Sequence, residues 1–210
     1  RYINCVKKEL IHVYSKLKKN YNITTVYIGG GTPSCIDNRY TSELLDIIED
    51  VDENVEITME VNPGTCFSRI EKINRVSIGL QTTNNLLLTK IGRIHTYEQF
   101  VEMYYCVRNT GIDNINVDLM LGLPEQTIGD LKDSLEKLVA LNPEHVSVYS
   151  LILEDGTKLY DMVNNNEMTL PNEEVERQMY WYVKNTLELY GYKHYEVSNF
   201  AKSGFESRHN

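Results

Sequence analysis

The sequence lacks several features that mark particular classes of protein. None of its apolar runs approaches the ~20 residues that a membrane-spanning helix needs. Basic residues number 21 against 30 acidic ones, and the net charge of −9 disfavours binding to nucleic acid or to an anionic membrane surface. The first 19 residues are charged and amphipathic, unlike a secretory signal. These absences predict a cytoplasmic protein with no nucleic-acid partner and no indicated membrane association.

Cysteine is scarce and widely spaced. The four cysteines are Cys5, Cys35, Cys66 and Cys106, so successive ones lie 30, 31 and 40 positions apart. This spacing excludes a zinc or iron–sulfur ligand set built on neighbouring cysteines within these residues. The chain is also longer and poorer in cysteine than a disulfide scaffold. We expect mostly buried thiols in a reducing compartment.

The common hydrolytic and nucleotide-binding patterns are missing as well. No Ser/His/Asp set has a supporting context, and no histidine spacing indicates a metal site, so His95 and His145 are expected to be structural. Three glycines at 29–31 follow a strand-like run but match neither G-x-G-x-x-G nor the phosphate-binding P-loop. From the residues alone, this loop is either a ligand-binding turn or a plain sharp turn.

What the sequence does contain is a repeated order of strand-like and helix-like segments. Apolar periodicity predicts helices over 1–19, 40–51, 96–109, 127–141 and 173–190. It predicts strands over 24–28, 55–61, 75–81, 114–120, 144–151 and 194–197. Thr127 and Asp130 have the spacing of a helix-capping box. Strands separated by helices predict an α/β protein with a parallel sheet.

The predicted strands 55–61, 75–81 and 114–120 have two unlike faces. One face is apolar, while the other is polar or small and carries Glu60, Gln81 and Asp118 near the strand ends. A doubly wound sheet should be apolar on both faces. We therefore predict a partial (β/α) barrel whose interior is polar and whose site lies at the carboxyl ends of the strands.

The polar residues themselves leave alternatives open. Glu60 could bind a ribose or an ammonium group, or pair with a nearby lysine or arginine. Gln81 could contact a cofactor or a backbone group. Asp118 needs a partner if buried, and Asn116 or Arg93 could supply it. Arg93 could clamp a carboxylate or remain solvated.

Six ordered motifs resemble one known family over nearly the whole chain. They are YIGGGTP at 27–33, EITMEVNPG at 56–64, VSIGLQ at 76–81, GRIHT at 92–96, NVDLMLGLP at 116–124 and YEVSNFAKSGFESRHN at 195–210. Together they resemble the oxygen-independent coproporphyrinogen III oxidase-like branch of the radical SAM enzymes. The last motif is more similar to the heme chaperone subgroup than to the oxidase.

The resemblance implies a partial (β/α)6 barrel, a 4Fe–4S cluster held by CxxxCxxC, and S-adenosylmethionine (SAM) bound to that cluster. It implies that SAM is contacted by Gly30, Gly31, Thr32, Glu60, Gln81, Arg93 and Asp118. It also implies heme ligation by His209, a porphyrin or heme partner, and an electron-donor protein. No catalytic residue is assigned.

The CxxxCxxC motif is absent from these residues. We expect the first barrel strand and the cluster loop to be missing from a chain that begins at the first helix. We also expect residues 1–160 to form the barrel core and 161–210 a C-terminal extension. The function is then that of a heme chaperone or of an oxidase. The alternative is a non-catalytic module that binds SAM or heme without a cluster.

Overall fold

The structure, a computed structural model, describes residues 1–49, 51–65 and 67–210. Seven strands form one sheet in the order β1-β2-β3-β4-β5-β7-β6. The strands are β1 (Ile23–Ile28), β2 (Val51–Val61), β3 (Arg75–Gln81), β4 (Asn114–Leu121), β5 (His145–Ser150), β6 (Lys193–Glu196) and β7 (Asn199–Ala201). Strands β1 to β5 are parallel, whereas β7 runs antiparallel to β5 and to β6.

Seven helices accompany the sheet. They are α1 (Tyr2–Leu17), α2 (Asn38–Leu45), α3 (Asn85–Lys90), α4 (Tyr97–Asn109), α5 (Ile128–Leu141), α6 (Lys158–Asn164) and α7 (Glu173–Leu189). Six of them, α2 to α7, begin at a residue whose side chain accepts a backbone N–H of the first turn. The capping box predicted at Thr127 and Asp130 is confirmed, and a second one joins Thr96 and Gln99. Within the described residues, no helix is both long and apolar enough to cross a bilayer.

Most of the predicted helices and strands are present in the structure, and one prediction is clearly wrong. The helix predicted over 40–51 spans only Asn38–Leu45, and Val51 is already the first residue of β2; Asp50 lies outside the described residues. Lys72 closes this helix early, because its ammonium donates to the carbonyl of Leu45 and to the Asp46 carboxylate. The short elements α3, α6 and β7 were not predicted, since three to seven residues carry too little periodicity.

The apolar face of the sheet forms the core beneath α4, α5 and α7. Met59, Val76, Ile78, Ile115 and Val117 have no exposed surface. The helices add Phe100, Leu135 and Val183 to the same cluster. The predicted division of each strand into an apolar and a polar face is thus confirmed on the apolar side.

The polar face is also buried, as a barrel interior requires. Glu56, Thr58, Ser77 and Asn116 are each less than 8% exposed. The last residues of the chain explain how. Ser207 donates its backbone N–H to the Tyr195 hydroxyl of β6 (3.0 Å) and its own hydroxyl to Glu56 of β2 (3.4 Å).

One serine therefore touches both β2 and β6, which lie five strands apart in the sheet order. In a flat sheet those strands would be about 24 Å apart, at about 4.8 Å per strand. The sheet must therefore curl around its polar face. The predicted partial barrel is confirmed, and the doubly wound sheet is not.

The cysteines do not behave as predicted. Cys5, Cys35 and Cys106 are free but exposed, rather than buried. Cys106 lies beside the buried Val107 but outside the packed face of α4, and its thiol donates to the Phe67 carbonyl (3.5 Å). Cys66 lies outside the described residues.

The capping box of α5 should be measurable in the stability of the fold. Thr127→Ala removes a side chain that accepts the N–H of Asp130 (3.1 Å) and donates to its carboxylate (2.6 Å). We expect the free energy of unfolding in urea to fall by about 1 kcal/mol. Asn185→Ala, at an exposed position of α7, serves as the control. Equal effects of the two substitutions would contradict the capping role.

Candidate functional site

A cavity of ≈200 Å³ lies at the carboxyl ends of β1 to β4, on the polar face. It brings together six of the seven positions that the sequence singled out for a cofactor. Those six are Gly30, Gly31, Glu60, Gln81, Arg93 and Asp118. Val61, Asn62, Ser77 and Gly79 complete the lining. The seventh position, Thr32, does not line this cavity; it lies in the loop that follows β1 and accepts a hydrogen bond from Asn62 of the lining.

The glycine loop forms one wall of the cavity and is tied to the end of β2. Gly30 has φ +113°, a conformation that side chains other than hydrogen rarely permit. The backbone N–H of Gly30 donates to Glu60 (3.2 Å). Thr32 donates to the Gly31 carbonyl (2.7 Å) and accepts from the Asn62 amide (2.8 Å). The loop is therefore held open toward the cavity rather than folded into it.

Glu60 is anchored by neutral groups, not by a cation. Its Oε1 accepts the hydroxyl of Tyr27 (2.7 Å), and its Oε2 accepts the N–H of Gly30. Among the described residues no lysine or arginine lies within ion-pair distance of Glu60. No described cation therefore occupies the carboxylate from within the chain.

Gln81 reaches the cavity because β3 ends irregularly. The register between β3 and β4 shifts between Gly79 and Gln81, and Gln81 has φ +66°. Its side chain folds back over Gly79, where an added Cβ would lie only 2.8 Å from Nε2 of Gln81. Gly79 is thus required for this placement. Strain of this kind in a non-glycine residue is typical of functional sites.

Arg93 is placed by the way α3 ends. Gly92, at φ +75°, donates its N–H to Thr89, and Arg93 donates its N–H to the carbonyl of Leu88 (2.9 Å). This pair of bonds is a Schellman motif, which fixes the backbone immediately after a helix. The motif turns the chain so that the Arg93 side chain lines the cavity. Arg93 is not the partner of Asp118, which was one of the two predicted alternatives.

Asp118 is held by Asn116 and Ser77. Asn116 donates to Oδ1 (2.7 Å) and Ser77 donates to Oδ2 (3.3 Å). Burial raises the pKa of Asp118 to about 6; the two hydrogen bonds oppose this shift and the negative charge of Glu60 adds to it. Asp118 therefore changes charge close to neutral pH.

A chain of hydrogen bonds continues from Asp118 into the barrel. Asn116 accepts from the ring of His145 at Nδ1 (2.6 Å), and Nε2 of His145 lies 2.8 Å from the Tyr195 hydroxyl. Burial, aided by the positive charge of Arg75, lowers the pKa of His145 to about 3. The ring is thus neutral, and it donates from Nδ1 and accepts at Nε2. Both ring nitrogens of His145 are thus engaged inside the barrel, and its structural role stays a prediction.

His209 lies at the other end of the same face. Its ring stacks on Tyr27 with the centroids 4.8 Å apart, and its Nδ1 is 3.4 Å from the Thr25 hydroxyl. The side chain is exposed, and no described residue forms a hydrogen bond with its Nε2. His209 is therefore outside the cavity but joined to it through Tyr27.

Two aspects of the site could not be found from the sequence. Tyr27, Ser77 and Tyr195 take part through contacts between residues that are far apart in the chain, and only the polar alternation hinted at Ser77. In addition, within the described ranges no group of three or more His, Cys, Asp or Glu side chains is placed to hold a metal ion. This part of the chain therefore offers no ligand set for an iron–sulfur cluster.

Comparison with known proteins agrees with this architecture. Residues 6–138 match the model of the radical SAM superfamily. The chain is 43% identical to the heme chaperone HemW of Lactococcus lactis over 90% of its length, and 37% identical to HemW of Bacillus subtilis over all of it. These alignments cover 52% and 58% of the two relatives, so the chain spans about half their length.

Solved structures give the same fold. The coproporphyrinogen III oxidase HemN of Escherichia coli matches with a TM-score of 0.82 at 23% identity, over 98% of this chain and 49% of that one. At this identity the likeness supports the fold alone. The family match over 6–138 leads to one conclusion: the chain belongs to the radical SAM superfamily, and its identity to the two HemW proteins supports the HemN/HemW type.

Proposed function

We propose that this chain binds SAM in the cavity, as the barrel portion of a heme chaperone-like protein. One observation carries the proposal: two carboxylates and one guanidinium converge beside an open glycine loop. SAM presents a matching set of groups, namely an ammonium, a sulfonium, a carboxylate and ribose hydroxyls. A cavity with both signs of charge suits such a zwitterionic ligand better than a purely anionic one.

The residues present fit the polar part of SAM. Added Cβ atoms at Gly30 and Gly31 would meet nothing within 4 Å, so the backbone there is accessible. The volume of ≈200 Å³ is below the ~300–1,000 Å³ that encloses a drug-sized ligand. The cavity would hold the charged portion, and the rest of the nucleoside would extend along the rim.

Each side chain then has a defined task. Glu60 and Asp118 supply negative charge for the ammonium, the sulfonium or a ribose hydroxyl, and Arg93 supplies a fork of donors for the carboxylate. Gln81 offers a neutral donor and acceptor. In this superfamily bound SAM is the source of a carbon radical. The contribution of this chain is to orient the ligand and to exclude water.

The two matched HemW proteins favour the chaperone branch. Their names assign heme handling to them, and we extend it to this chain with His209 as the axial ligand. Nε2 of His209 is unengaged within the described residues, and a neutral imidazole is a common heme ligand. The described residues do not fit a 4Fe–4S cluster.

Cavity variants should weaken SAM binding. We expect Glu60→Gln, Arg93→Gln and Asp118→Asn each to raise the SAM Kd at least roughly tenfold, because each removes a charge-assisted contact. Isothermal titration calorimetry of the purified chain measures this. Glu167→Gln, which removes an exposed acid far from the cavity in sequence, is the matched control. Unchanged affinity in all three variants would refute the placement of SAM.

The affinity for SAM should also depend on pH. Asp118 has a pKa of about 6, so it is mostly neutral at pH 5 and mostly charged at pH 7. A charged carboxylate holds a cationic ligand more tightly, so the Kd should fall about three- to tenfold from pH 5 to pH 7. Asp118→Asn should remove most of this dependence. His145 stays neutral over the whole range and cannot mimic the effect. An equal pH dependence in Asp118→Asn would assign it to another group.

Heme binding is tested separately with hemin. Titration of the purified chain, followed by the Soret absorbance, should give a His-ligated spectrum that His209→Ala abolishes. His12→Ala is the control, since His12 is exposed on α1 and is not part of the barrel interior. Retention of the wild-type spectrum in His209→Ala, or its loss in His12→Ala, would exclude His209 as the ligand.

A further inference from the structure

Tyr27 contacts both His209, in the segment 207–210 that we call the tail, and Glu60 in the cavity wall. Its ring face stacks on His209, at 4.8 Å between centroids and an angle of 21°. Its hydroxyl donates to Oε1 of Glu60 at 2.7 Å. Glu60 in turn accepts the N–H of Gly30, 3.2 Å from Oε2. A single aromatic residue thus connects residue 209 to the glycine loop.

The backbone between Tyr27 and Gly30 is shaped to permit this connection. A Cβ at Gly29 would lie 2.7 Å from Cε1 of Tyr27 and 3.1 Å from the carboxyl carbon of Glu60. The first distance is shorter than real Cβ contacts and the second is tighter than most, so a side chain at position 29 would push the ring or the carboxylate out of this arrangement. Gly29 lines no part of the cavity described above, and this close approach explains why it is glycine.

The hydroxyl of Tyr27 is a permanent donor. Its pKa is raised far above the ordinary value, first by burial and then by the hydrogen bond and the charge of Glu60. Tyr27 therefore stays protonated at neutral pH. The two oxygens of Glu60 are fixed from two sides, by a phenol and by a backbone amide. A carboxylate held in this way is oriented before any ligand arrives.

We propose that Tyr27 is a positioning residue that orients Glu60 for the cationic ligand of the cavity, and that His209 braces Tyr27 from the opposite side. The proposal rests on the proposed binding of SAM in the cavity. It adds that the affinity of the cavity depends on the tail. A ligand that draws His209 away from Tyr27 would weaken SAM binding, and by linkage SAM would weaken that ligand's binding by the same factor.

A double-mutant cycle tests the first part. Tyr27→Phe keeps the ring but removes the bond to Glu60, and we expect the SAM Kd to rise about fivefold to tenfold. In a Glu60→Gln background, Tyr27→Phe should add less than twofold, because the charged group it orients is already gone. Tyr190→Phe, at an exposed site near the end of α7, should leave the Kd unchanged. Additive effects of the two substitutions would overturn the positioning role.

Nuclear magnetic resonance of His209 tests the link itself, without any ligand. Stacking should shift the ring protons of His209 upfield, and Tyr27→Leu should abolish that shift. His209→Ala identifies the signal among the five histidines. Glu60→Gln should move the same signal, since it weakens the bond that holds Tyr27; Tyr190→Phe should not. If neither Tyr27→Leu nor Glu60→Gln changes the chemical shift of the His209 ring protons, the link between His209 and Tyr27 is wrong.

Failure of the proposed SAM binding and failure of the positioning role of Tyr27 give different results. If the wild-type chain binds no SAM, the proposed function fails, and the ligand-free spectra still decide whether Tyr27 joins His209 to Glu60. If SAM binds with equal affinity to the wild type and to Tyr27→Phe, the proposed function stands and the positioning role is wrong. His209→Ala should raise the SAM Kd about twofold to fivefold if the brace matters. An unchanged SAM Kd in His209→Ala would show that Tyr27 orients Glu60 without His209.

Discussion

The four hydrogen bonds of one buried amide hold the inside of the barrel together. Asn116 donates to Ser77 and to Asp118, and it accepts from His145 and from Ser147. These partners lie on β3, β4 and β5, so one side chain joins three neighbouring strands. An unpaired polar group in that interior is costly, and the side-chain amide of Asn116 uses both its N–H donors and its oxygen. The arrangement of the cavity depends on it.

From Asn116 the hydrogen bonds extend in two directions along the barrel. Toward the carboxyl ends it fixes Asp118 in the cavity, with its pKa close to neutral pH. Toward the amino ends it passes through the neutral ring of His145 to Tyr195, and Tyr195 accepts the backbone of Ser207. The tail then reaches Glu56 on the far side of the curled sheet. The same polar interior therefore places the cavity residues and closes the barrel over them.

The sequence predicted those parts of this arrangement that follow from local pattern. Alternation along the strands correctly placed Glu56, Ser77 and Asn116 on an inner face, because the side-chain period of a strand is two. Motif spacing placed Glu60, Gln81 and Asp118 at neighbouring strand ends. The capping box at Thr127 could also be predicted from the sequence, since it spans only four residues. The roles of the cavity residues toward a ligand remain predictions.

The contacts that could not be predicted from the sequence are those that form when the barrel closes. The contacts of Ser207 with Glu56 and of His209 with Tyr27 join residues more than 150 positions apart, and no local pattern records which strand the tail will meet. Arg93 was a candidate from its motif, but its direction comes from the helix ending at Gly92. The exposure of Cys106 depends on which side of α4 faces the sheet, which the sequence leaves open.

Because residues 207–209 contact β1 and β2, the tail can influence the cavity at the carboxyl ends of the strands. Tyr27 lies on β1, where its backbone pairs with Thr58 of β2. Its side chain is placed by what touches its ring and its hydroxyl, namely His209 and Glu60. A side chain held by two others responds to a change in either one, whereas Asn116 is held by four hydrogen bonds from three strands. Coupling between tail and cavity is thus expected through Tyr27 rather than through the network around Asn116.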